Sequence, residues 1–129
     1  MWNWRNVQSM TTLTDEEKRV RDILIDRASH RQAIPYGELL QKAQIKLDLS
    51  MPYNWGVLGD ILGHVATFEH EHGRPLLSCV AVRANFEHSD GFFKLADDLG
   101  FGDWKKLRKQ NFNYTEMTRT FDFWQHNKV

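Results

Sequence analysis

The sequence predicts one α+β domain that is mostly helical, with a small sheet. Its length of 129 residues suits a single folded domain, and 41% hydrophobic and 26% charged residues are typical of a globular protein. Most apolar residues recur at spacings of three and four, whereas only one segment has the composition of a strand. We therefore expect several amphipathic helices around one core.

The N-terminal part begins with an irregular arm, residues 1–13, which shows no regular pattern of apolar residues. Thr14 and Glu17 have the spacing of a capping box, which predicts a helix from this point to about His30. The segment 34–37 should be extended, because a proline disfavours the helical conformation of the residue before it.

Two more helices are predicted in the middle of the chain, from Glu38 to about Lys46 and from Asn54 to about His72. Gly73 is placed to end the longer one in a left-handed conformation. Inside this helix, glycines at spacings of three and four indicate close packing of its backbone against another element: Gly56, Gly59 and Gly63.

The C-terminal part begins after Pro75 with an apolar run, residues 76–82, which predicts a central strand followed by a polar loop over residues 83–91. Helices are then expected over residues 92–99, from about Asp103, and from Tyr114 to Asn127. This order of elements is that of a winged-helix-like core over residues 14–100 with a helical extension over residues 101–129.

Several motifs resemble a group of small bacterial and phage-borne proteins: Tyr36-Gly37-Glu38-Leu39, Leu58-Gly59-Asp60-Ile61-Leu62, Gly73-Arg74-Pro75-Leu76-Leu77-Ser78 and Gly91-Phe92-Phe93. The layout is also similar to that of the alkyltransferase-like winged-helix proteins, whose cysteine would correspond to Cys79. Ser78, Val80 and Ala81 stand where that family has proline, histidine and arginine. Because apolar surroundings raise a thiol's pKa, we interpret Cys79 as a buried structural residue.

Charge excludes some partners. The 17 basic and 17 acidic residues cancel, so no global field favours nucleic acid or a membrane surface. Residues 51–73, the third helix of the winged-helix order, contain no lysine or arginine, so we expect no phosphate contacts there. A basic cluster near the C-terminus is either a solvated helix face or a nucleic-acid contact: Lys105, Lys106, Arg108 and Lys109.

Histidines and glutamates cluster at residues 69–72, with His64 and His88 as further candidates. His70 and His72 point to nearly opposite sides of a helix, which disfavours a shared metal ion. No catalytic triad signature or phosphate-binding glycine loop is present, so we expect no cofactor and no metal. A small enzyme with a Glu/His site near residues 69–74 and 88 stays an alternative.

The sequence therefore predicts a cytoplasmic, non-enzymatic protein-interaction module that binds another protein or a second copy of itself. Candidate contact residues are Trp2, Trp4, Trp104, Arg74 and His88, because tryptophan is favoured at interfaces and the two polar residues flank the expected strand. Arg74 either caps the carbonyls of the long helix or binds an anion. The single cysteine excludes an internal disulfide, and neither a secretion signal nor a membrane-length apolar run is expected.

Overall fold

Helix α1 (Asp15–Ser29) begins at the predicted capping box. The computed structural model describes residues 11–127, so the predicted contact residues Trp2 and Trp4 lie outside the described residues. The Glu17 amide donates to Thr14 Oγ1 at 3.1 Å, and the Thr14 amide donates to Glu17 Oε1 at 2.9 Å. Together these two bonds satisfy backbone groups that the start of a helix leaves free.

Strand β1 (Ile34–Pro35) leads directly into α2 (Tyr36–Lys42). This helix ends earlier than predicted, because Gln44 has a φ of 59° and the Ile45 amide donates back to the Leu40 carbonyl at 2.9 Å. A left-handed residue at this position stops the helix, although the sequence has no glycine there.

Helix α3 (Pro52–Glu71) is the longest element and starts with proline in its first turn. It ends as predicted, since Gly73 has a φ of 72°. The Gly73 amide donates to the His70 carbonyl and the Arg74 amide to the Glu69 carbonyl, both at 3.0 Å. The backbone itself therefore satisfies the carbonyl groups at this helix end.

The predicted strand over residues 76–82 is mostly wrong. Residues Leu77–Val80 form a 3₁₀ turn, and only β2 (Ala81–Val82) is extended. It pairs with β1 in a parallel register, with Ile34 opposite Ala81 and Pro35 opposite Val82. Every residue of the turn is buried, and a run that is apolar on all sides fits a buried turn as well as a strand.

Three helices complete the described chain: α4 (Asp90–Asp98), α5 (Trp104–Lys109) and α6 (Phe112–His126). Asp103 caps α5 by accepting from the Lys106 amide at 3.2 Å, and Gly100 after α4 has a φ of 93°. Residues 83–89 are a tight loop without a strand, closed by a 2.9 Å bond from the Arg83 amide to the Glu87 carbonyl.

The core lies where α1, α3, α6 and the 3₁₀ turn meet. Leu107 of α5 and Trp124 of α6 belong to the same hydrophobic cluster as the apolar residues of α1 and α3. The buried Glu116 carboxylate on α6 accepts from the Leu76 amide at 2.7 Å, which fixes the start of the 3₁₀ turn. No helix within residues 11–127 is long and apolar enough to cross a membrane.

Candidate functional site

A pocket of about 360 Å³ opens between α3 and α4. Its floor consists of the buried residues Tyr36, from the start of α2, and Ser78, from the 3₁₀ turn. Apolar walls are formed by Leu62 of α3 and by Phe92 and Leu95 of α4. The volume lies at the lower end of the range of small-ligand sites, and four separate elements hold the lining in place.

Glycines form much of the α3 wall. A Cβ atom at Gly59 would meet no atom within 4 Å, and one at Gly63 would lie 3.8 Å from Leu95 Cδ1. Gly56, one turn earlier, is equally open and does not line the pocket. The predicted close packing of backbone is therefore wrong at Gly56 and Gly59, where the helix presents bare backbone to open space.

Hydroxyl groups supply the polarity of the floor. Ser78 is only 5% exposed, and its hydroxyl has no hydrogen-bond partner among the described residues. Tyr36 donates its hydroxyl to Ser89 Oγ at 3.3 Å. A buried hydroxyl without a partner costs on the order of 1–3 kcal/mol. Ser78 Oγ is closed off from solvent, so a group in the pocket does not reach it while the floor keeps this conformation.

The rim is acidic. Asp60 on α3 and Asp98 on α4 are exposed, and neither carboxylate forms an ion pair or hydrogen bond within residues 11–127. Lys94 is the one lysine of the lining, and its ammonium group stands 5.0 Å from the centre of the Trp104 ring, which does not line the pocket. Within the described chain, the rim therefore has two carboxylates that no cation contacts directly.

His64, at the edge of the pocket, is already paired. Its Nδ1 donates to Glu17 Oε2 at 2.5 Å. Burial raises the pKa of Glu17, but hydrogen bonds from the Thr14 amide and from His64 outweigh burial and lower it overall. This pair joins α1 to α3 at the edge of the pocket, and Asp60 and Asp98 are the carboxylates of the lining.

Arg74 lies in a buried ion cluster. Its Nε and Nη2 each donate to the Glu69 carboxylate at 3.0 Å, and Arg21 binds the same carboxylate from the other side at 3.0 and 3.3 Å. The predicted guanidinium cap on the carbonyls of the long helix is therefore wrong, because a buried carboxylate offers the guanidinium a stronger bidentate partner. The cluster joins α1 to the end of α3.

His88 is held by two hydrogen bonds. Its Nε2 donates to the Cys79 carbonyl at 2.6 Å, so Nδ1 is the acceptor for the Asn113 amide at 3.0 Å. Burial lowers the pKa of His88, and the bond to Cys79 offsets this only in part. Burial also raises the pKa of the Cys79 thiol to about 12, which is the environment expected of a structural cysteine.

The Glu/His candidates do not come together. Glu69 is held by two arginines, His72 bonds the Phe68 carbonyl, and no hydrogen bond or ion pair in the described chain links either residue to His88. Within residues 11–127, no group of three His, Cys, Asp or Glu side chains is arranged to hold a metal ion.

The basic cluster of α5 is exposed and surrounds a partly buried Trp104. Lys105 and Arg108 lie 5.7 and 5.5 Å from the centre of its ring, beside Lys94. Arg108 also forms an ion pair with Asp90 at 2.8 Å. Lys106 and Lys109 remain the cations of this helix that are directed to solvent.

Comparisons with protein-family models, with curated proteins and with solved structures found no match for this chain. The candidate site therefore depends on its own geometry. The sequence contained one signal for it, the glycines at helical spacing on α3, but Ser78 and Tyr36 come from distant segments. Only the folded chain brings those hydroxyls to the same floor.

Proposed function

We propose that this chain is a non-enzymatic binding module that receives a side chain of a partner protein in the pocket between α3 and α4. The observation that carries the proposal is a pocket of about 360 Å³ in which apolar side chains of α4 face a wall of open glycine backbone on α3. Within the described chain nothing fills this space, and an inserted side chain would bury the apolar lining.

Exposed aromatic residues beside the pocket support a protein partner. Trp55 is 41% exposed and lies one helical turn before Gly59, so both are on the same face of α3. The Trp55 ring packs edge-on against the Tyr36 ring, with 5.7 Å between the two ring centroids. Tyr53, two residues before Trp55, is 81% exposed. Tryptophan and tyrosine are the residues that most often anchor protein interfaces.

The chemistry of the pocket supports binding without catalysis. A serine acts as a nucleophile only when a neighbouring base accepts its proton. Ser78 bonds no base among the described residues, and Tyr36 bonds only Ser89. His64 lines the same pocket and bonds Glu17 through Nδ1, but its Nε2 is not bonded to Ser78 Oγ, so the two residues are not arranged as nucleophile and base.

A peptide titration followed by ¹⁵N–¹H NMR tests this function. We expect capped tripeptides with varied central residues to shift the amide signals of Ser78, Ser89 and Gly91. The Gly59→Met variant fills the pocket and should abolish these shifts, whereas Gly56→Met makes the same change outside the lining and should keep them. Absence of any peptide that shifts these signals, or equal binding by both variants, would contradict the proposal.

Nucleic-acid binding through α5 is a second candidate function, because exposed cations around a partly buried tryptophan suit a single strand whose bases stack on aromatic rings. Affinity for a short oligonucleotide should then fall steeply between low and physiological salt. The Lys105→Glu/Lys109→Glu variant should lose that affinity, and Lys18→Glu on α1 should keep it. An equal loss of oligonucleotide affinity in both variants would contradict a binding site on α5.

We also propose that residues 14–100 are a winged-helix-like core in a cytoplasmic protein. The order α1, β1, α2, α3, β2 supports the resemblance to alkyltransferase-like proteins. Three features depart from it: the parallel pairing of β1 with β2, the absence of a strand in residues 83–89, and helix α4 directly after that loop. An experimental structure with an antiparallel hairpin after β2 would support the winged helix, and one that keeps α4 directly after the loop would overturn it.

A further inference from the structure

We infer that the side chain received by the pocket is basic, with arginine the best fit. This inference rests on the proposed function and adds the chemical class of the inserted group. It is carried by two features of the lining: the charge of the rim and the shape of the walls.

The rim selects for positive charge. Asp60 and Asp98 reach the pocket from α3 and α4, and within the described chain neither has a cationic partner. Lys94 directs its ammonium group to Trp104, and His64 is bonded to Glu17. No lysine or arginine occurs in residues 51–73 to offset these carboxylates. A cation at the mouth gains Coulomb energy here, while an anion is repelled.

The walls suit a long aliphatic stem that ends in a planar charge. Leu62 and Leu95 offer apolar surface, and Gly59 leaves space beside the helix backbone. Trp55, on the same helix face, presents a ring on which a guanidinium group can stack. Basic side chains bury their stems in this manner while the charged end stays near polar groups.

The guanidinium group matches the rim better than any neutral group. It has five N–H donors, which can bond the rim carboxylates while the stem lies against the walls, whereas a neutral side chain cannot use the charge of the rim.

A matched pair of peptides tests the inference: acetyl-Gly-Arg-Gly-amide and the same peptide with citrulline, which keeps the shape of arginine and lacks its charge. We expect the arginine peptide to bind about 10-fold more tightly by isothermal titration calorimetry. Asp60→Asn and Asp98→Asn should each weaken it about 2-fold to 5-fold. Asp22→Asn on α1 removes the same charge outside the lining and should have no effect.

The outcomes separate the two proposals. Equal affinity for arginine and citrulline peptides, both abolished by Gly59→Met, would overturn the basic side chain and leave the binding pocket intact. Loss of all peptide binding in Gly56→Met as well as Gly59→Met would overturn the pocket itself. Binding of single-stranded DNA that Gly59→Met abolishes would also overturn the inference, because a phosphate chain requires a positive rim. Circular dichroism of each variant controls for folding.

Discussion

Removing the charge of Glu69 is the sharpest test of how the fold is held together. The Glu69 side chain is fully buried between Arg21 and Arg74, whose side chains are only 13% and 18% exposed. Four guanidinium N–H groups bond this one carboxylate. Both guanidinium groups also lie over the Phe68 ring, at 5.2 and 5.6 Å from its centre, so water screens the cluster weakly.

Glu69→Gln keeps the size of the side chain and one carbonyl acceptor, so the change creates no cavity. It leaves two buried guanidinium groups beside each other without a counter-charge. Breaking a buried ion pair by removing one partner costs about 3–5 kcal/mol. For a domain of this size, with a free energy of unfolding of about 5–15 kcal/mol, that loss is a fifth or more of the total.

Urea unfolding followed by circular dichroism measures the effect, since urea does not screen charges. With a denaturant slope of about 2 kcal/mol per molar, the midpoint should fall by about 2 M. Arg74→Lys keeps the charge but loses the paired bonds, and should cost about 1.5–3 kcal/mol. Asp22→Asn, on the exposed face of α1, should change stability by less than about 0.5 kcal/mol. A Glu69→Gln variant as stable as Asp22→Asn would refute the reasoning.

Four further outcomes are expected. Gly56→Ala and Gly59→Ala should each stabilise the protein by up to about 1 kcal/mol in thermal melts, because the added methyl group meets no atom within 4 Å; destabilisation would indicate close packing. Burial raises the pKa of the Cys79 thiol to about 12, so a disulfide reagent at pH 8 should react only as fast as the chain unfolds, and immediate labelling would contradict burial. Burial lowers the pKa of His88 below its ordinary 6.5. The stability that the neutral His88 ring contributes is therefore complete above about pH 6.5 and is lost as the pH falls from there. An NMR titration should show the ring becoming protonated below pH 6.5, and protonation above that pH would contradict its burial. Burial raises the pKa of Glu17, but its hydrogen bonds lower it overall from 4.5, so its contribution is present above about pH 4.5 and is lost as the pH falls through the folded value. Glu17→Gln should therefore be less stable than the natural chain at pH 6, and the difference should shrink as the pH falls below about 4.5.

Helix ends were the part of the fold best predicted from sequence. The capping box at Thr14 and the glycine stop at Gly73 depend on a few neighbouring residues, so local chemistry determines them. The end of α2 was predicted too late, because Gln44 adopts a left-handed conformation that its residue type does not announce. The same limit applied to Leu76, whose amide is bonded by Glu116 from 40 positions away in the chain.

The candidate site could be predicted only in part. The glycines of α3 marked an unusual helix face, but sequence alone could not distinguish close packing from an open wall. Arg74 was recognised as a residue of interest, whereas its partner Arg21 on α1 was not, since their shared carboxylate unites segments far apart in sequence. The sequence did not predict that Tyr36 and Ser78 line the same pocket, because they lie 42 positions apart in the chain and only the folded structure brings them together.

The most direct test of the account is the position of a bound arginine peptide, measured by intermolecular nuclear Overhauser effects. We predict contacts from the methylene protons of the arginine to the methyl groups of Leu62 and Leu95 and to the Phe92 ring, which line the pocket. These contacts should disappear in the Gly59→Met variant. A peptide that binds with contacts to Trp104 and α5 alone, or that keeps its contacts in Gly59→Met, would contradict the claim that this pocket is the binding site.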